Sequence, residues 1–333
     1  MINAAIIGMG SIGNIHARAY RDSKDVNLTG VCDIIRGRAE KAAWDYGVPW
    51  YSDAAEMLKE LKPDLVSVTT GGFEYASDHY KPTIQALEAG CAVLGEKPIS
   101  NNIEKAREMV NFAAEKNLCY AINLNHRFTP ACLEAKKWQD EGRVGDVLFC
   151  NMSLWIGKFG EFGSPYFHLK ALNPHSVDIM RYFCGEVKEV QCFAVKAPGR
   201  SIWSSASVNM LFESGAVGHL TSSYDIARSH NVEKCEVAGT RGRIAVDDMW
   251  LKSTLYPADS MVQTVYQNPV FGGYTCFEDT FKARIDSFVN EIKENKAPKH
   301  IDGSGADGLA ASRVIHAAIL SLEEKRVVGI NEI

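Results

Sequence analysis

His175 and Asp178 are a pair whose spacing suits proton transfer. They lie in the segment Asn173 to Gly185, in which Asn173 is a good helix N-cap and Pro174 suits the first helical position. Residues three apart share one helix face, so the carboxylate would orient the imidazole as a general base. The helix N-terminus would disfavour imidazolium and Asp178 would favour it, which would let the ring exchange protons near neutral pH. The alternative is that Asp178 only caps the helix and His175 is a surface or core residue.

Lys97 is a second candidate, in the segment Gly95-Glu96-Lys97-Pro98. The segment follows an apolar run that is typical of a strand. Pro98 biases Lys97 away from helix, so its side chain would project from the strand end. There a lysine could hydrogen-bond a substrate oxygen and stabilise developing negative charge. The peptide between Lys97 and Pro98 could be cis. The alternative is an ordinary lysine in a solvated loop.

Three glycines near the start of the chain, Gly8, Gly10 and Gly13, have the spacing G-x-G-x-x-G. They follow the apolar run 4–7 and open a helix-like stretch, which is the context in which this spacing binds a dinucleotide. Gly8 would allow a tight turn, Gly10 would let the backbone approach a pyrophosphate, and Gly13 would let the helix pack close to the strand. The N–H groups of the helix N-terminus would hold the phosphates. The spacing alone also occurs by chance, so the context is what makes it informative.

Asp33 meets a further requirement of this motif, an acidic residue at the end of the next strand, about 20 residues on. Its carboxylate would accept hydrogen bonds from an adenosine ribose and repel a 2′-phosphate, which favours NAD over NADP. Arg36 and Arg38 lie close by in the sequence. Either could pair with a 2′-phosphate, so NADP stays possible. Asp33 could instead cap a helix or lie in a solvated loop.

The elements that must position these residues change in type near residue 123. Before it, apolar strand-like runs alternate with helices, which predicts an α/β domain with a doubly wound parallel sheet and a ligand at the carboxyl ends of its strands. After it, longer strand-like runs, a hairpin turn at 213–215 and two final helices indicate an α+β domain with a large, mostly antiparallel open sheet. We predict a dinucleotide-binding domain over 1–122 and a substrate-binding and oligomerisation domain over 123–333. A bare sheet face would favour oligomers.

Composition limits the class of protein. The 333 residues, 46% hydrophobic and 23% charged, are typical of a globular protein of two domains. A formal net charge of -5 without a Lys/Arg block argues against nucleic acid or an anionic membrane as partner. Nine cysteines without a C-x-x-C motif indicate buried thiols in a reducing compartment and give no support for a zinc site. The chain starts with a strand-like run and has no apolar run of about 20 residues, so we expect a cytoplasmic protein without a signal peptide.

Together these motifs resemble the Gfo/Idh/MocA family, which includes glucose-fructose oxidoreductase and inositol dehydrogenases. The resemblance covers nearly the whole chain and rests on GMGSIG, GEKPIS, the His175/Asp178 helix and several shorter matches. Those matches are Asp33, the helix with His79, Asn125-His126-Arg127-Phe128 and the segment Gly303 to Leu309. The resemblance implies a Rossmann domain followed by an α/β domain whose open sheet forms homodimers or homotetramers.

The resemblance also implies an activity, hydride transfer between a nicotinamide and a secondary alcohol of a sugar or cyclitol. In the family the lysine of the EKP motif contacts the reacting hydroxyl, and a histidine takes its proton with the help of a carboxylate three residues later. Here these are Lys97, His175 and Asp178. The implied cofactor residues are Gly8, Met9, Gly10, Ser11, Ile12, Gly13, Asp33, Arg38, Thr70, His79, Glu96 and Asn125. The substrate set is Lys97, Arg127, Trp155, Asn173 and His175.

Two segments depart from the family pattern. Many polyol dehydrogenases of the family carry D-x-G-x-H, but here Ala171 stands in place of the aspartate and Asn173 in place of the glycine. This departure argues against inositol as the substrate. The loop that starts at Thr70 is longer than the usual T-P-N turn. Five aromatic residues could line a pocket for a sugar or a more hydrophobic ring, or could belong to the core: Phe73, Tyr75, Trp155, Phe159 and Tyr166.

Two other functions stay compatible with the same cofactor site. One is a redox-neutral enzyme that recycles its NAD within each turnover, as in epimerisation or redox-assisted glycoside cleavage. The other is a non-catalytic regulator that responds to NAD. The presence of both Lys97 and His175 favours the dehydrogenase.

Overall fold

The computed structural model describes residues 1–72, 77–157, 164–226 and 232–333. The chain separates into two compact units, Met1–Leu124 with Phe281–Leu309, and Asn125–Thr280 with Ala310–Ile333. The first change of unit lies two residues from the predicted boundary, but segment 281–309 joins the first unit rather than the second. Packing explains this difference, because Ile285 and Phe288 lie in the same buried apolar cluster as Ile6.

The first unit alternates strands and helices. Its elements are β1 (Ile2–Ile7), α1 (Ser11–Arg21), β2 (Val26–Cys32), α2 (Arg36–Tyr46), β3 (Trp50–Tyr51), α3 (Ala54–Leu61), β4 (Leu65–Val68), α4 (Tyr80–Glu88), β5 (Ala92–Gly95), α5 (Ile103–Glu115) and β6 (Tyr120–Ile122). Among the described residues, six strands form one parallel sheet in the order β3-β2-β1-β4-β5-β6. The predicted doubly wound parallel sheet is confirmed.

The register of this sheet aligns the carboxyl ends of its central strands. Ile7 pairs with Val68, and Val68 pairs with Gly95. The residues that follow β1, β4 and β5 therefore lie side by side at one edge, with about 4.8 Å between neighbouring strands. These residues are Gly8, Thr69 and Glu96, with Lys97 one position further along the chain.

Segment 281–309 is held to the first unit by its own polar contacts. The Arg284 side chain is fully buried, and its Nε donates to the carbonyl of Ile122 at 3.1 Å. Ser304 forms an isolated antiparallel bridge with Ala121. A buried guanidinium needs such acceptors, because leaving it unpaired in the interior would cost several kcal/mol.

The second unit is built on a larger sheet. Its elements are α6 (Pro130–Asp140), β7 (Val147–Trp155), α7 (Phe167–Cys184), β8 (Val187–Val195), β9 (Ser205–Phe212), β10 (Val217–Ser223), β11 (Val232–Gly239), β12 (Gly242–Asp247), β13 (Lys252–Pro257), β14 (Thr264–Gln267) and β15 (Val328–Gly329). The strand order is β14-β13-β12-β11-β7-β10-β9-β8-β15. Neighbouring strands are antiparallel except β7 and β10, which confirms the mostly antiparallel sheet. The helices α8 (Glu278–Lys293) and α9 (Gly305–Glu324) each contain a unit boundary.

The two faces of the large sheet have different surroundings. On one face, Cys150 and Met152 of β7 pack with Val177 and Met180 of α7 in a single apolar cluster. On the other face, side chains such as Phe149, which is 41% exposed, are uncovered in a single chain. This alternation along β7 is what a sheet covered on one side requires.

The hairpin turn at 213–215 is confirmed, because β9 and β10 pair antiparallel and Gly215 has a φ of +86°. β13, β14 and β15 are short and lack a clean alternation of apolar and polar residues, so sequence pattern alone does not predict them. All nine cysteines are free thiols, and seven of them are buried.

No described helix is long and apolar enough to cross a membrane. No group of three or more His, Cys, Asp or Glu side chains among the described residues could hold a metal ion.

Candidate functional site

Gly8 and Gly13 are required by the packing of the chain itself. Gly8 has a φ of +104°, and a Cβ there would lie 2.5 Å from the backbone nitrogen of Thr70. A Cβ on Gly13 would lie 2.0 Å from the carbonyl oxygen of Gly8. Any side chain at either position would therefore break the tight turn between β1 and α1. Both glycines have the roles that the motif predicts.

Gly10 differs, because no protein atom of the described chain lies within 4 Å of where its Cβ would be. The absence of a side chain there is not explained by packing, but it fits the approach of a ligand to the backbone. Gly10 is also the N-cap residue of α1, without a side-chain cap, and no acidic residue lies in the first turn. The N–H groups of Ser11, Ile12 and Gly13 thus form a site suited to phosphate.

Asp33 lies where the motif predicts, directly after β2, and it is 6% exposed. One carboxylate oxygen accepts the N–H of Met9 at 2.7 Å, and the other accepts the N–H of Ile35 at 2.7 Å. The carboxylate therefore holds the glycine loop to the end of β2. Each oxygen can still accept a further hydrogen bond, so the residue fits a ribose diol.

The two arginines that could favour a 2′-phosphate lie on α2. Arg36 donates from Nε to Glu40 at 2.8 Å and lies over the ring of Trp50 at 5.3 Å. Arg38 is exposed. Arg36 is thus already paired with a carboxylate, whereas Asp33 lies directly against the glycine loop.

Glu96 is part of a buried polar network. Its Oε1 lies 3.1 Å from Nε2 of His16 and accepts from Nδ2 of Asn123 at 2.6 Å. The other ring nitrogen of His16 lies 2.9 Å from the hydroxyl of Ser67, which in turn lies 2.6 Å from the hydroxyl of Tyr20. Burial raises the pKa of Tyr20 well above its usual range, although its bond to Ser67 opposes this. The network links α1 to the ends of β4, β5 and β6.

Lys97 is half-buried at the end of β5, and its peptide bond to Pro98 is cis. Its backbone N–H donates to the Glu96 carboxylate at 3.3 Å. His79, which is 2% exposed, lies with one ring nitrogen 2.8 Å from the carbonyl of Pro98 and the other 3.1 Å from the carbonyl of Thr70. The backbone on either side of Lys97 is therefore held in place by neighbouring elements.

The helix that carries His175 is longer than predicted. It runs from Phe167 to Cys184 and ends, as predicted, at Gly185. The prediction that Asn173 caps the helix and that Pro174 occupies its first position is wrong, since both lie inside it. An interior proline costs about 3 kcal/mol. The turns before Pro174 bury Phe167 in compensation, so tertiary packing overrides the local signal.

This difference changes the electrostatics expected for His175. The field of a helix terminus falls off within the first turn. His175 stands eight residues after Phe167, so the helix N-terminus does not suppress its charge. Burial and the neighbouring side chains are the remaining influences on its proton affinity.

Asp178 is bound to Arg127, a pairing that the sequence reading did not anticipate. Nε of Arg127 donates to Oδ2 at 2.8 Å, and Nη2 donates to Oδ1. The guanidinium also lies over the Tyr182 ring at 4.9 Å and is 4% exposed. This burial does not support direct substrate binding by Arg127. Instead, its charge balances that of Asp178 beneath the helix face that carries His175.

His126 and Glu233 are two residues of this region for which the sequence predicted no role. The imidazoles of His126 and His175 stack with centroids 4.0 Å apart and planes 7° apart. Nδ1 of His126 lies 2.6 Å from Oε1 of Glu233, which is an ion-pair distance rather than an aligned hydrogen bond. The available signal was the alternation along β11, where Glu233 shares the inward face with Cys235 and Val237.

Two further site residues have a buried amide oxygen without a hydrogen-bond partner among the described residues. Asn125 donates from Nδ2 to the Thr280 hydroxyl at 2.6 Å, but its Oδ1 is unpaired. Asn173 is 1% exposed, and its Oδ1 is likewise unpaired. A buried acceptor of this kind is costly unless a ligand or water satisfies it, so both residues fit a binding role.

The aromatic candidates fall into three groups. Trp155 lies on the bare face of the large sheet, where its Nε1 donates to the Thr221 hydroxyl at 3.1 Å. It is thus on the face of the sheet opposite α7, the helix that carries His175. Tyr166 donates to Glu323 at 2.6 Å, which raises its pKa to about 12. Outside the described residues lie Phe73, Tyr75 and Phe159.

The chain is similar to known oxidoreductases over most of its length. Residues 2–124 match the family described as "Oxidoreductase family, NAD-binding Rossmann fold", and residues 132–245 match the "GFO/IDH/MocA C-terminal domain". The chain is 26% identical to inositol 2-dehydrogenase of Rhizobium meliloti (strain 1021), over 99% of each chain. It is 34% identical to D-glucoside 3-dehydrogenase of Escherichia coli (strain K12), over 44% of this chain and 41% of that protein.

A solved structure supports the fold. Levoglucosan dehydrogenase, in complex with NADH and levoglucosan, aligns with a TM-score of 0.88 over 100% of both chains at 20% identity. The cofactor is NAD, which is indicated by the match to the NAD-binding family, by the glycine loop and by Asp33. The chain is therefore an NAD-dependent oxidoreductase. Since the two matches together cover most of its length, the chain belongs to the GFO/IDH/MocA family of oxidoreductases.

Proposed function

We propose that the protein transfers a hydride between NAD and the CH–OH group of a sugar, cyclitol or related polyhydroxy compound. The observation that supports this most is the register of the parallel sheet, which aligns Ile7 with Val68 and Val68 with Gly95. Lys97 therefore lies at the same edge of the sheet as the glycine loop. The distance between the two is about two strand spacings, or ~10 Å. A cationic donor at that distance suits a substrate at the nicotinamide end of an extended dinucleotide.

Each proposed catalytic residue has one role. The Lys97 ammonium donates a hydrogen bond to the reacting hydroxyl oxygen and stabilises the alkoxide that forms there. The neutral His175 imidazole accepts the proton of that hydroxyl. Asp178, neutralised by Arg127, fixes the helix turn that carries His175. NAD, held by the glycine loop and Asp33, would supply the acceptor for the hydride that leaves the alcohol carbon.

The proposed substrate class follows from the relatives and from one departure. The similarity to an inositol 2-dehydrogenase and to a D-glucoside 3-dehydrogenase supports ring compounds with several hydroxyl groups. Ala171 is buried one helical turn before His175, at the position where polyol dehydrogenases of the family have an aspartate. An apolar methyl there offers no hydrogen bond to a ring hydroxyl. We therefore expect aldoses and glycosides to be better substrates than inositols.

The test is absorbance at the reduced-nicotinamide band, with NAD and separately with NADP. The panel contains inositols, aldoses, sugar acids and alkyl glycosides. The proposal predicts growth of the band with NAD and at least one compound, and loss of that growth in Lys97→Met. Silence across the panel, with NAD retained in the purified protein, would overturn net oxidation and favour a redox-neutral enzyme or a regulator.

We also infer that the protein is a homodimer or homotetramer. The bare face of the large sheet has apolar side chains at Phe149, Phe193, Val195 and Val217, which are between 41% and 61% exposed. Exposed apolar side chains in this number on one sheet face are typical of an interaction surface. A second copy of the chain could cover it.

The nine free thiols further support a reducing, cytoplasmic compartment.

A further inference from the structure

Phe277 lies beside the two stacked imidazoles and is 44% exposed. Its ring meets that of His126 edge to face, with centroids 6.3 Å apart and planes at 86°. His126 in turn stacks on His175 at 4.0 Å. These two contacts place the Phe277 ring no more than about 10 Å from the His175 ring. A partly exposed aromatic side chain thus belongs to the surroundings of the proposed base.

Trp250 extends this apolar surface. Its ring is partly exposed and lies 6.4 Å from that of Phe277, with 46° between the two planes. We call Phe277 and Trp250 together the aromatic corner. Single apolar side chains at a surface need no explanation, but two exposed aromatic rings in contact beside a candidate active site are typical of a ligand-binding surface.

The turn that carries Trp250 has an uncommon backbone. It joins β12 to β13, and its residues Asp248 and Met249 have φ values of +47° and +60°. This left-handed region is unfavourable for a residue such as methionine, because its Cβ crowds the backbone. Met249 is buried, and its carbonyl accepts the Thr129 hydroxyl at 2.9 Å. Backbone strain of this kind persists where surrounding contacts hold it and is concentrated at ligand sites, so it suits a turn that fixes the position of Trp250.

The backbone of Phe277 is also held in place. Its carbonyl accepts the hydroxyl of Thr280 at 2.7 Å, and Thr280 is fully buried. The same hydroxyl accepts Nδ2 of Asn125 at 2.6 Å. Both members of the aromatic corner are therefore tied to segment 125–129, which also contains His126. A surface that is fixed before the ligand arrives binds it at a smaller cost in conformational entropy.

The chemistry of the aromatic corner suits a flat apolar group better than a sugar ring. Of the two side chains, only the indole of Trp250 has a polar hydrogen that a sugar hydroxyl could accept. The rings are inclined at 46°, so they do not form one flat platform for the face of a pyranose. An aromatic ring placed between them could contact both in the tilted and edge-to-face arrangements that such rings prefer.

We propose that Phe277 and Trp250 form a subsite for the aglycone of a glycoside, and that the preferred substrates carry an aromatic ring on the glycosidic oxygen. The inference rests on the proposed function, because it places the oxidised sugar at His175. One CH–OH group of the sugar gives its hydride to NAD and its proton to His175, and the glycosidic bond stays intact. The aglycone contributes binding energy alone, which makes both aromatic residues determinants of specificity.

The first test compares phenyl and methyl glucosides, in both anomers, by kcat/KM with NAD. The wild type should prefer the phenyl glucoside by at least ~10-fold, because its ring leaves water and packs against two aromatic side chains. Phe277→Ala and Trp250→Ala should each reduce this preference to less than about threefold, and Phe277→Leu should keep an intermediate value. Trp44→Ala, at an 89% exposed position on α2, is the control. A merely structural role would lower kcat/KM for both glucosides equally, and an unchanged ratio would overturn the proposal.

A binding measurement separates the aglycone subsite from the proposed activity. Protein loaded with NADH does not oxidise a glycoside, so calorimetry reports affinity alone. We expect phenyl glucoside to bind at least ~10-fold more tightly than methyl glucoside, and we expect this difference to disappear in Phe277→Ala. Equal affinities in the wild type would refute the subsite whatever the turnover. The expected affinities without oxidation of any compound would instead count against the proposed function alone.

Discussion

At the scale of single residues, Glu96 and Lys97 show how one dipeptide serves two purposes. Glu96 is buried, and its carboxylate is paired with His16 and Asn123. Leaving such a charge unpaired would cost several kcal/mol, so the network holds the end of β5 in one conformation. Lys97 is half-buried and follows directly. The paired Glu96 carboxylate therefore fixes the position of the backbone that carries the Lys97 side chain.

Lys97→Met is expected to lower turnover by at least ~100-fold, as loss of a donor to a developing oxyanion does. The dissociation constant of NAD should change by less than about threefold, since an interaction made in the transition state adds little to cofactor binding. Steady-state kinetics and fluorescence titration with NADH measure the two quantities. Lys299→Met, at an exposed position, is the control. Retained turnover in Lys97→Met would refute the assigned role.

Asp33→Ser is expected to weaken the selection of NAD. The change removes the carboxylate that faces the ribose site and its bond to the Met9 N–H. We expect kcat/KM for NAD to fall at least ~10-fold and the ratio of NADP to NAD usage to rise, because repulsion of the 2′-phosphate is lost. Asp64→Asn is the matched control, since Asp64 accepts the N–H of Asn3 at the start of β1. Equal losses in both variants would indicate a merely structural role for Asp33.

At the scale of elements, the turn between β1 and α1 contains glycines of two kinds. Gly8 and Gly13 are enforced by neighbouring backbone, because a Cβ on either would lie within 2.5 Å of a main-chain atom. Gly10 has open space around it and a φ of -74°, which any residue can adopt. The same motif therefore encodes both folding and binding, and substitution can separate the two.

Gly10→Ala is expected to fold normally and to bind NAD at least ~10-fold more weakly, since the new methyl would meet only the pyrophosphate. Gly13→Ala should instead lower the melting temperature of the protein without NAD, because its Cβ would lie 2.0 Å from the carbonyl oxygen of Gly8. Thermal unfolding with and without NAD measures both effects. If Gly10→Ala destabilised the apoprotein as much as Gly13→Ala, the distinction would be wrong.

At the scale of the whole molecule, the buried His168 and the half-buried His316 link stability to pH. Burial lowers the pKa of His168 to about 3, although Asp225 partly opposes this. Burial and then the charge of Lys170 lower the pKa of His316 to about 4. Both rings stay neutral in the folded protein, while the unfolded chain takes up protons below pH ~6.5. Stability therefore falls as pH decreases from about 6.5 towards the folded pKa values.

His316→Gln is expected to reduce this pH dependence. Each such histidine lowers the free energy of unfolding by about 1.4 kcal/mol per pH unit as the pH falls, or by roughly 2 kcal/mol between pH 6.5 and pH 5. The drop in melting temperature between pH 7 and pH 5 should shrink by about 4–8 °C in the variant. His300→Gln, at an exposed position, should leave the drop unchanged. An equal drop in wild type and His316→Gln would contradict the argument.

The bare sheet face leads to a prediction about assembly. Val217 is 54% exposed and pairs with Phe149 across β7 and β10, so a charge there falls within the apolar part of the face. We expect the wild-type chain to be a dimer or tetramer and Val217→Asp to be a smaller species, by light scattering coupled to gel filtration. Val270→Asp, 88% exposed and outside every strand, is the control. A monomeric wild type would remove the basis of this proposal.

Local sequence determined the parts of this protein that depend on neighbours along the chain. The G-x-G-x-x-G spacing, Asp33 and the alternation of apolar strands with helices were enough to predict the parallel sheet and NAD, because each follows from backbone geometry within one βαβ unit. The hairpin at 213–215 was predictable for the same reason.

Tertiary structure alone decided what depends on contacts across long sequence separations. Packing of buried side chains lets α7 continue through Pro174 and holds 281–309 against the parallel sheet. Folding also brings Glu233 and His126 together, although they are 107 positions apart in the chain. No local propensity encodes these contacts, because their free energy comes from apolar area and charge pairs that exist only after the chain has folded. The family motif thus pointed to His175, but only the fold shows which neighbours surround it.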